Sequence, residues 1–193
     1  MELTEIMDII VKVIEKFGSK CSPEEQEKIK GILIQFFVEG KPPVEAMGRP
    51  KEDSELMYSY CVSLYDGGKY KEALPGFWNL FTLDPRNPRY IFGFAACLHK
   101  LKKYEDAIEN YLVAARLEPD NPTAWGHMAD CYINLGQLEL AATMIAKAVE
   151  VAGVNPEHQK FKQQATLIHQ ALRAQIDGED AKASPEPTVN VGS

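Results

Sequence analysis

The side chains best able to do chemistry in this sequence are four histidines and four cysteines, and their spacing fits no catalytic or metal site. The histidines form no H-E-x-x-H pair (His99, His127, His158, His169) and the cysteines form no C-x-x-C pair (Cys21, Cys61, Cys97, Cys131). A glycine-rich phosphate loop and a G-x-S-x-G elbow are also missing from the sequence. We therefore expect a protein that is not an enzyme and needs no metal or cofactor. The cysteines are expected to be reduced and packed as small apolar residues.

Charge and hydropathy exclude further classes of function. The net charge is −7 and the pI is about 5.2, whereas nucleic acids and anionic membranes are bound by clustered basic side chains. No stretch approaches the ~20 apolar residues that span a bilayer. The N-terminal M-E-L-T-E is acidic and unlike a secretory signal. These features predict a cytoplasmic protein that binds neither nucleic acid nor membrane.

The elements that position these residues are set by an internal repeat of 34 residues. The stretch L-D-P-R-N-P at 83–88 recurs as L-E-P-D-N-P at 117–122, and Ala73 recurs as Ala107 and Ala141. This period and the W…A…P spelling are typical of tetratricopeptide repeats, each of which is a pair of helices. The sequence thus predicts an all-α superhelix of three helix pairs, near 54–66 with 70–83, 88–100 with 104–117, and 122–134 with 138–151.

Each recurring residue has a physical role in such a stack. Small residues let two helices approach closely, and large ones fill the space between successive pairs at core density. The small set is Cys61, Ala73, Ala95, Ala107, Ala129 and Ala141, and the large set is Met57, Phe77, Ile91, Tyr111, Trp125 and Ile145. The Asn-Pro pairs at 87–88 and 121–122 are expected to open helices, because Asn caps free N–H groups and Pro suits the first helical turn.

Segments on both sides of the repeats complete the predicted organisation. Residues 1–53 form N-terminal helices and a linker at 39–53, and residues 54–153 form the repeats. Residues 154–176 form a capping helix, and 177–193 a disordered acidic tail. The first helix carries an apolar stripe that packs on the chain's own repeats or serves in dimerisation: Leu3, Ile6, Ile10, Val13 and Phe17.

The predicted binding site is the concave face, lined by the first helix of each pair. The positions that point there are Glu55, Tyr58, Val62 and Tyr65 in the first repeat, Arg89, Phe92, Ala96 and His99 in the second, and Thr123, Gly126, Asp130 and Ile133 in the third. Tyr58, Val62, Tyr65 and Phe92 together form an apolar surface that suits an extended apolar peptide. The alternative is that flanking helices cover this surface and make it core.

The spelling of the repeats resembles one family in particular, the SycD/LcrH-like class II chaperones of bacterial type III secretion. The resemblance covers residues 54–151 and rests on E-L-M-Y-S-Y-C-V-S-L-Y-D-G-G-K-Y-K-E-A, L-D-P-R-N-P-R-Y-I-F-G-F-A-A-C, Y-E-D-A-I-E-N-Y and A-D-C-Y-I-N-L-G-Q-L-E-L-A. It implies a non-enzymatic chaperone that keeps a hydrophobic translocator, or a gatekeeper protein, competent for secretion. It also implies dimerisation through N-terminal helices.

The same resemblance implies which residues hold the client segment. These are Tyr58, Val62 and Tyr65 on the first helix of the first repeat, Tyr70, Asn79 and Leu83 on its partner, and Phe92 and Tyr111 in the second repeat; Ala96 and His99 join them as concave positions.

Two rival functions use the same fold. An adaptor that reads an acidic C-terminal tail needs a clamp of Lys, Asn and Arg, but Tyr58 and Val62 stand where the first clamp residues would be. A structural scaffold subunit binding another peptide partner stays open.

Overall fold

The computed structural model describes residues 3–17, 21–48 and 50–183, and every regular element among them is helical. The all-α class predicted from the sequence is therefore confirmed. In chain order the helices are α1 Leu3–Phe17, α2 Pro23–Phe37, α3 Pro43–Ala46, α4 Lys51–Asp66, α5 Tyr70–Leu83, α6 Pro88–Lys100, α7 Tyr104–Leu117, α8 Thr123–Asn134, α9 Leu138–Ala152 and α10 Gln159–Ala183, with a 3₁₀ turn at Pro156–His158. The chain divides into two compact units, Met1–Cys97 and Leu98–Ser193.

The repeated asparagines open helices as the sequence predicts. The Asn87 side-chain oxygen accepts a hydrogen bond from the Arg89 N–H at 3.2 Å. Asn121 and Asn155 accept equivalent bonds from the N–H two residues ahead, each at 3.0 Å. Each bond satisfies an N–H of the first turn that has no partner inside the helix. The capping box at Ser22 and Glu25 is likewise present in both directions.

The turn inside each helix pair passes through the left-handed region at one position of the repeat. The φ angles there are +74° at Gly68, +61° at Lys102 and +73° at Gly136. The backbone hydrogen bonds of the turn recur as well, for example from the Lys69, Lys103 and Gln137 N–H to the carbonyl five residues back. Lys102 therefore adopts a conformation that costs an L side chain free energy and a glycine little.

The core of the first unit lies between α4, α5 and α6. Its buried members are Cys61, Ala73, Phe77, Leu80, Tyr90 and Cys97. Gly93 admits the Phe77 ring: a Cβ atom on Gly93 would lie 2.5 Å from the nearest ring carbon. The predicted small positions at Cys61 and Ala73 are thus buried, whereas Met57, expected to fill the interior, is 39% exposed.

The N-terminal segment of this unit differs from the sequence prediction in its linker. The predicted linker at 39–53 contains α3, and α4 starts within it at Lys51. α1 packs against α2, and Ile10 is 0% exposed; it belongs to the apolar stripe for which the sequence leaves packing on the chain itself and dimerisation as alternatives. Ile6 and Val13 are half-buried, while the side chains of Leu3 and Phe17 lie outside the described residues. Ile10 therefore offers no surface to a second copy.

The core of the second unit is built from small residues and the capping helix. Ala129, Ala141, Ala142 and Ala148 are fully or almost fully buried, and Ala165, Leu172 and Ile176 of α10 pack against them. α10 runs to Ala183, so residues 177–183 are helical and the predicted disordered tail does not start at 177. Residues 184–193 of that tail lie outside the described residues.

Three buried cysteines behave as the sequence predicts for small apolar residues. Burial raises the pKa of the Cys97 and Cys131 thiols to about 12. Burial also raises the pKa of Cys61. A thiol that stays protonated is a weak nucleophile, so these side chains serve packing.

Candidate functional site

The predicted apolar surface on α4 is half-buried, and the core of the first unit supports its side chains. Tyr58, Val62 and Tyr65 all pack against the buried cluster that contains Phe77. The Tyr58 ring lies 5.9 Å from Phe77 in an edge-to-face arrangement and 5.7 Å from Tyr90, measured between ring centroids. Neither the open groove nor the covered core describes these residues fully, because one part of each side chain is core and another part is accessible.

An ion pair that was not expected from the sequence borders these side chains. The Arg89 side chain donates to the Glu55 carboxylate, and its guanidinium carbon lies 4.7 Å from the centre of the Tyr58 ring. The hydrogen bond to Glu55 raises the pKa of Arg89. Glu55 and Arg89 occupy the same position in successive repeats, 34 residues apart. Opposite charges at that spacing are the signal that could have identified the pair.

The two helices of the first repeat bring Tyr65 and Tyr70 together. Tyr65 and Tyr70 meet across the turn, with ring centroids 5.2 Å apart and an edge-to-face angle of 65°. Burial raises the pKa of the Tyr65 hydroxyl, so it remains a protonated donor at neutral pH. Asn79 is exposed on α5, and Leu83 is half-buried at its end.

The second repeat contributes less surface than expected. Phe92 is half-buried, but Ala96 is 8% exposed and Tyr111 is 0% exposed. Tyr111 stacks on His127, with ring centroids 5.2 Å apart and 11° between the planes. The predicted place of Tyr111 in the client groove is therefore wrong for this structure, because the ring fills the interior between α7 and α8.

His99 belongs to an aromatic cluster of the second unit. Its Nε2 atom lies 3.1 Å from an Asp130 carboxylate oxygen, and its ring centroid lies 6.1 Å from that of His127. Burial lowers the pKa of both histidines, although Asp130 opposes the shift. His99 is therefore mainly neutral at neutral pH and donates a hydrogen bond to the Asp130 carboxylate.

The described residues offer neither a metal centre nor a membrane span. They contain no group of three His, Cys, Asp or Glu side chains arranged to hold a metal ion. None of their helices combines the length and the apolar character needed to span a bilayer.

Comparison with known proteins identifies the repeats and their relatives. Residues 102–165 match the family model described as Tetratricopeptide repeat, and residues 45–114 match that of Anaphase-promoting complex, cyclosome, subunit 3. The chain is 28% identical to Low calcium response locus protein H of Yersinia pseudotuberculosis over 144 residues, which cover 74% of this chain and 84% of the relative.

Solved structures agree with this assignment. A type III secretion complex from Aeromonas hydrophila matches with a TM-score of 0.70 and 26% identity, covering 74% of this chain and 95% of that one. PcrH in complex with the chaperone-binding region of PopD matches with a TM-score of 0.64 and 29% identity, covering 66% of this chain and 96% of that one. The chain contains tetratricopeptide repeats, and it is similar in sequence and structure to LcrH, PcrH and SycD, the last of which is a translocator chaperone of type III secretion.

Proposed function

We propose that this chaperone binds an extended apolar segment of a secreted translocator on a tyrosine strip in the first unit, formed by Tyr58, Val62, Tyr65 and Tyr70. The observation that carries the proposal is that these side chains are half-buried and that ring contacts brace the tyrosines. The partner class follows from PcrH, which is known in complex with the chaperone-binding region of PopD.

Bracing makes these rings suitable anchors. When a complex forms, ordering each flexible side chain costs roughly 0.5–1.5 kcal/mol of binding free energy. Tyr58 already has ring contacts with Phe77 and Tyr90, and the Arg89 guanidinium lies over its ring. A peptide that covers the remaining ring surface gains apolar burial with little further ordering.

Two polar groups of the first unit can serve the peptide backbone. An extended peptide exposes N–H and C=O groups that need partners once they leave water. The exposed amide of Asn79 can donate and accept, and the Arg89 guanidinium has donors beyond the one used by Glu55. This combination of apolar anchors and backbone partners fits a binding role that requires no catalysis.

The proposal is tested by co-expression with the hydrophobic secreted proteins encoded at the same locus. The tagged chain should keep its client in the soluble fraction and co-purify with it. The variant Tyr58→Ala/Tyr65→Ala should lose the client while remaining folded by circular dichroism. Tyr60→Ala is the matched control, since Tyr60 lies on the same helix, is 63% exposed and is outside the tyrosine strip.

Equal client recovery with the double variant and with the Tyr60→Ala control would contradict the proposal. If the double variant unfolds, Tyr65→Phe and Val62→Ser replace it, because they alter the accessible surface and leave the ring contacts of Tyr58 in place. Together these two changes should reduce client recovery in a folded chain, and recovery equal to that of the Tyr60→Ala control would again contradict the proposal.

A further inference from the structure

The second unit contains a pocket of about 290 Å³ between α8 and α10. Its walls include Thr123, Gly126, Asp130 and Ile133, which are the four predicted concave positions of the third repeat. Phe161 and Ile168 of α10 close the other side. None of these residues belongs to the tyrosine strip.

The pocket exists because the third repeat has glycine where the first has tyrosine. Gly126 corresponds to Tyr58, two periods of the repeat earlier. The Phe161 ring occupies part of the vacated space, and a Cβ atom on Gly126 would lie 3.0 Å and 3.2 Å from two of its carbons. The rest stays open, and its volume is at the lower end of the ~300–1,000 Å³ of small-ligand pockets. It therefore suits one apolar side chain.

The charge at the rim of the pocket determines which kind of residue can lie next to the bound apolar side chain. Among the described residues that line the pocket, Asp130 carries the one charged group, and there is no lysine or arginine. The Asp130 side chain is 58% exposed and accepts from His99, whose burial keeps it mainly neutral. A carboxylate whose nearest partner is neutral, at an apolar rim, attracts a basic group.

We propose that this pocket binds a leucine-sized apolar side chain of a peptide segment and that Asp130 pairs with a lysine or arginine next to it. The assignment of this segment to the translocator rests on the function proposed above. The chemistry of the pocket is independent of that function. The pocket then acts as a second anchor for an extended client. Its requirement for a lysine or arginine in the bound segment distinguishes it from the tyrosine strip.

The test uses blocked dipeptides and the full chain labelled at the isoleucine δ1 methyls. Acetyl-Leu-Arg-amide should shift the methyl signals of Ile133, Ile145 and Ile168, which all line the pocket. Acetyl-Leu-Glu-amide should bind at least about threefold more weakly, as expected for one exposed charge pair. Absence of shifts at these methyls, or equal affinity for the two dipeptides, would overturn the proposal.

Matched variants locate the interaction. Asp130→Asn should remove the preference for arginine, while Glu109→Gln, an exposed carboxylate on α7 outside the pocket, should keep it. Ile168→Gln should weaken binding, while its neighbour Leu167→Gln should not, because Leu167 is 66% exposed and does not line the pocket. If Asp130→Asn retains the preference, the basic partner lies elsewhere and the proposal is wrong.

The client separates this inference from the function proposed above. Client affinity that falls with Tyr58→Ala but is unchanged by Ile168→Gln would refute the second anchor and leave the tyrosine strip intact. Dipeptide binding at the pocket together with unchanged client affinity in Tyr58→Ala would refute the tyrosine strip and leave the pocket intact as a binding site.

Discussion

The first and third repeats place different side chains at the same positions, and this gives them different surfaces. At one position the first repeat has Tyr58, whose ring packs on Phe77 and Tyr90, and the third has Gly126, beside an open pocket. At the next position Val62 corresponds to Asp130. The backbone framework is shared, so the side-chain size and charge at these positions determine whether a repeat presents a braced aromatic surface or a pocket with a carboxylate.

The largest expected effect is the loss of stability on adding a methyl group at Gly93, and the same change at Gly126 serves as the comparison. Gly93→Ala should lower the free energy of unfolding by about 2 kcal/mol, because its Cβ would lie 2.5 Å from the ring of Phe77, which is 2% exposed and tightly packed. Gly126→Ala should change it by less than about 1 kcal/mol, since the Phe161 ring is partly exposed and alanine favours the helix. Urea unfolding monitored by circular dichroism measures both, and equal losses would show that the two glycines are not different.

A smaller effect is expected at the turn of the second helix pair. Lys102→Gly should raise the free energy of unfolding by about 1 kcal/mol, because Lys102 has φ +61° where Gly68 and Gly136 stand in the other pairs. Gly136→Ala is the converse change and should destabilise by a similar amount. Urea midpoints that move in the opposite direction for Lys102→Gly would mean that the lysine side chain contributes more than the backbone loses.

The pH dependence of stability should arise in the second unit. Burial lowers the pKa of His99 and His127 below the ordinary value of 6.5, so between the lowered values and 6.5 the unfolded chain binds more protons. The contribution of the two neutral histidines to the free energy of unfolding is therefore fully present above pH 6.5. It is lost as the pH falls from 6.5 through the lowered pKa values. Lys100 adds to the shift and Asp130 opposes it.

Denaturant titrations at a series of pH values measure this effect. His127→Gln should flatten the dependence between about pH 7 and pH 5. His169→Gln on α10, outside the cluster, is the control and should leave the dependence in place. An unaltered slope in His127→Gln would contradict the assignment to this cluster.

The helices could be predicted from the sequence because their boundaries depend on local signals. Asn87 and Asn121 cap the turns that they precede, and Ser22 with Glu25 forms the expected capping box. The repeat register likewise identified four of the third-repeat residues that line the pocket, namely Thr123, Gly126, Asp130 and Ile133.

The features that the sequence missed or left open depend on tertiary packing. The periodicity of α1 predicts an apolar stripe but cannot say whether Ile10 faces α2 or a second copy. Tyr111 has the spacing of a groove residue and also that of a core residue, and its stacking on His127 decides between them. The Arg89 guanidinium lies over the Tyr58 ring because α4 and α6 are close together, and no local sequence pattern gives the distance between two helices.

Hydroxyl-radical labelling of the chain with and without its client shows whether the client covers the tyrosine strip, since it compares two sides of one helix without a substitution. Tyr58 and Tyr65 lie on the tyrosine strip, whereas Tyr60 and Leu56 are 63% and 74% exposed outside it. We expect client binding to lower the oxidation rate of Tyr58 and Tyr65 and to leave that of Tyr60 and Leu56 unchanged. Protection of Tyr60 and Leu56 with no change at Tyr58 and Tyr65 would place the client on the other side of α4 and refute binding at the tyrosine strip.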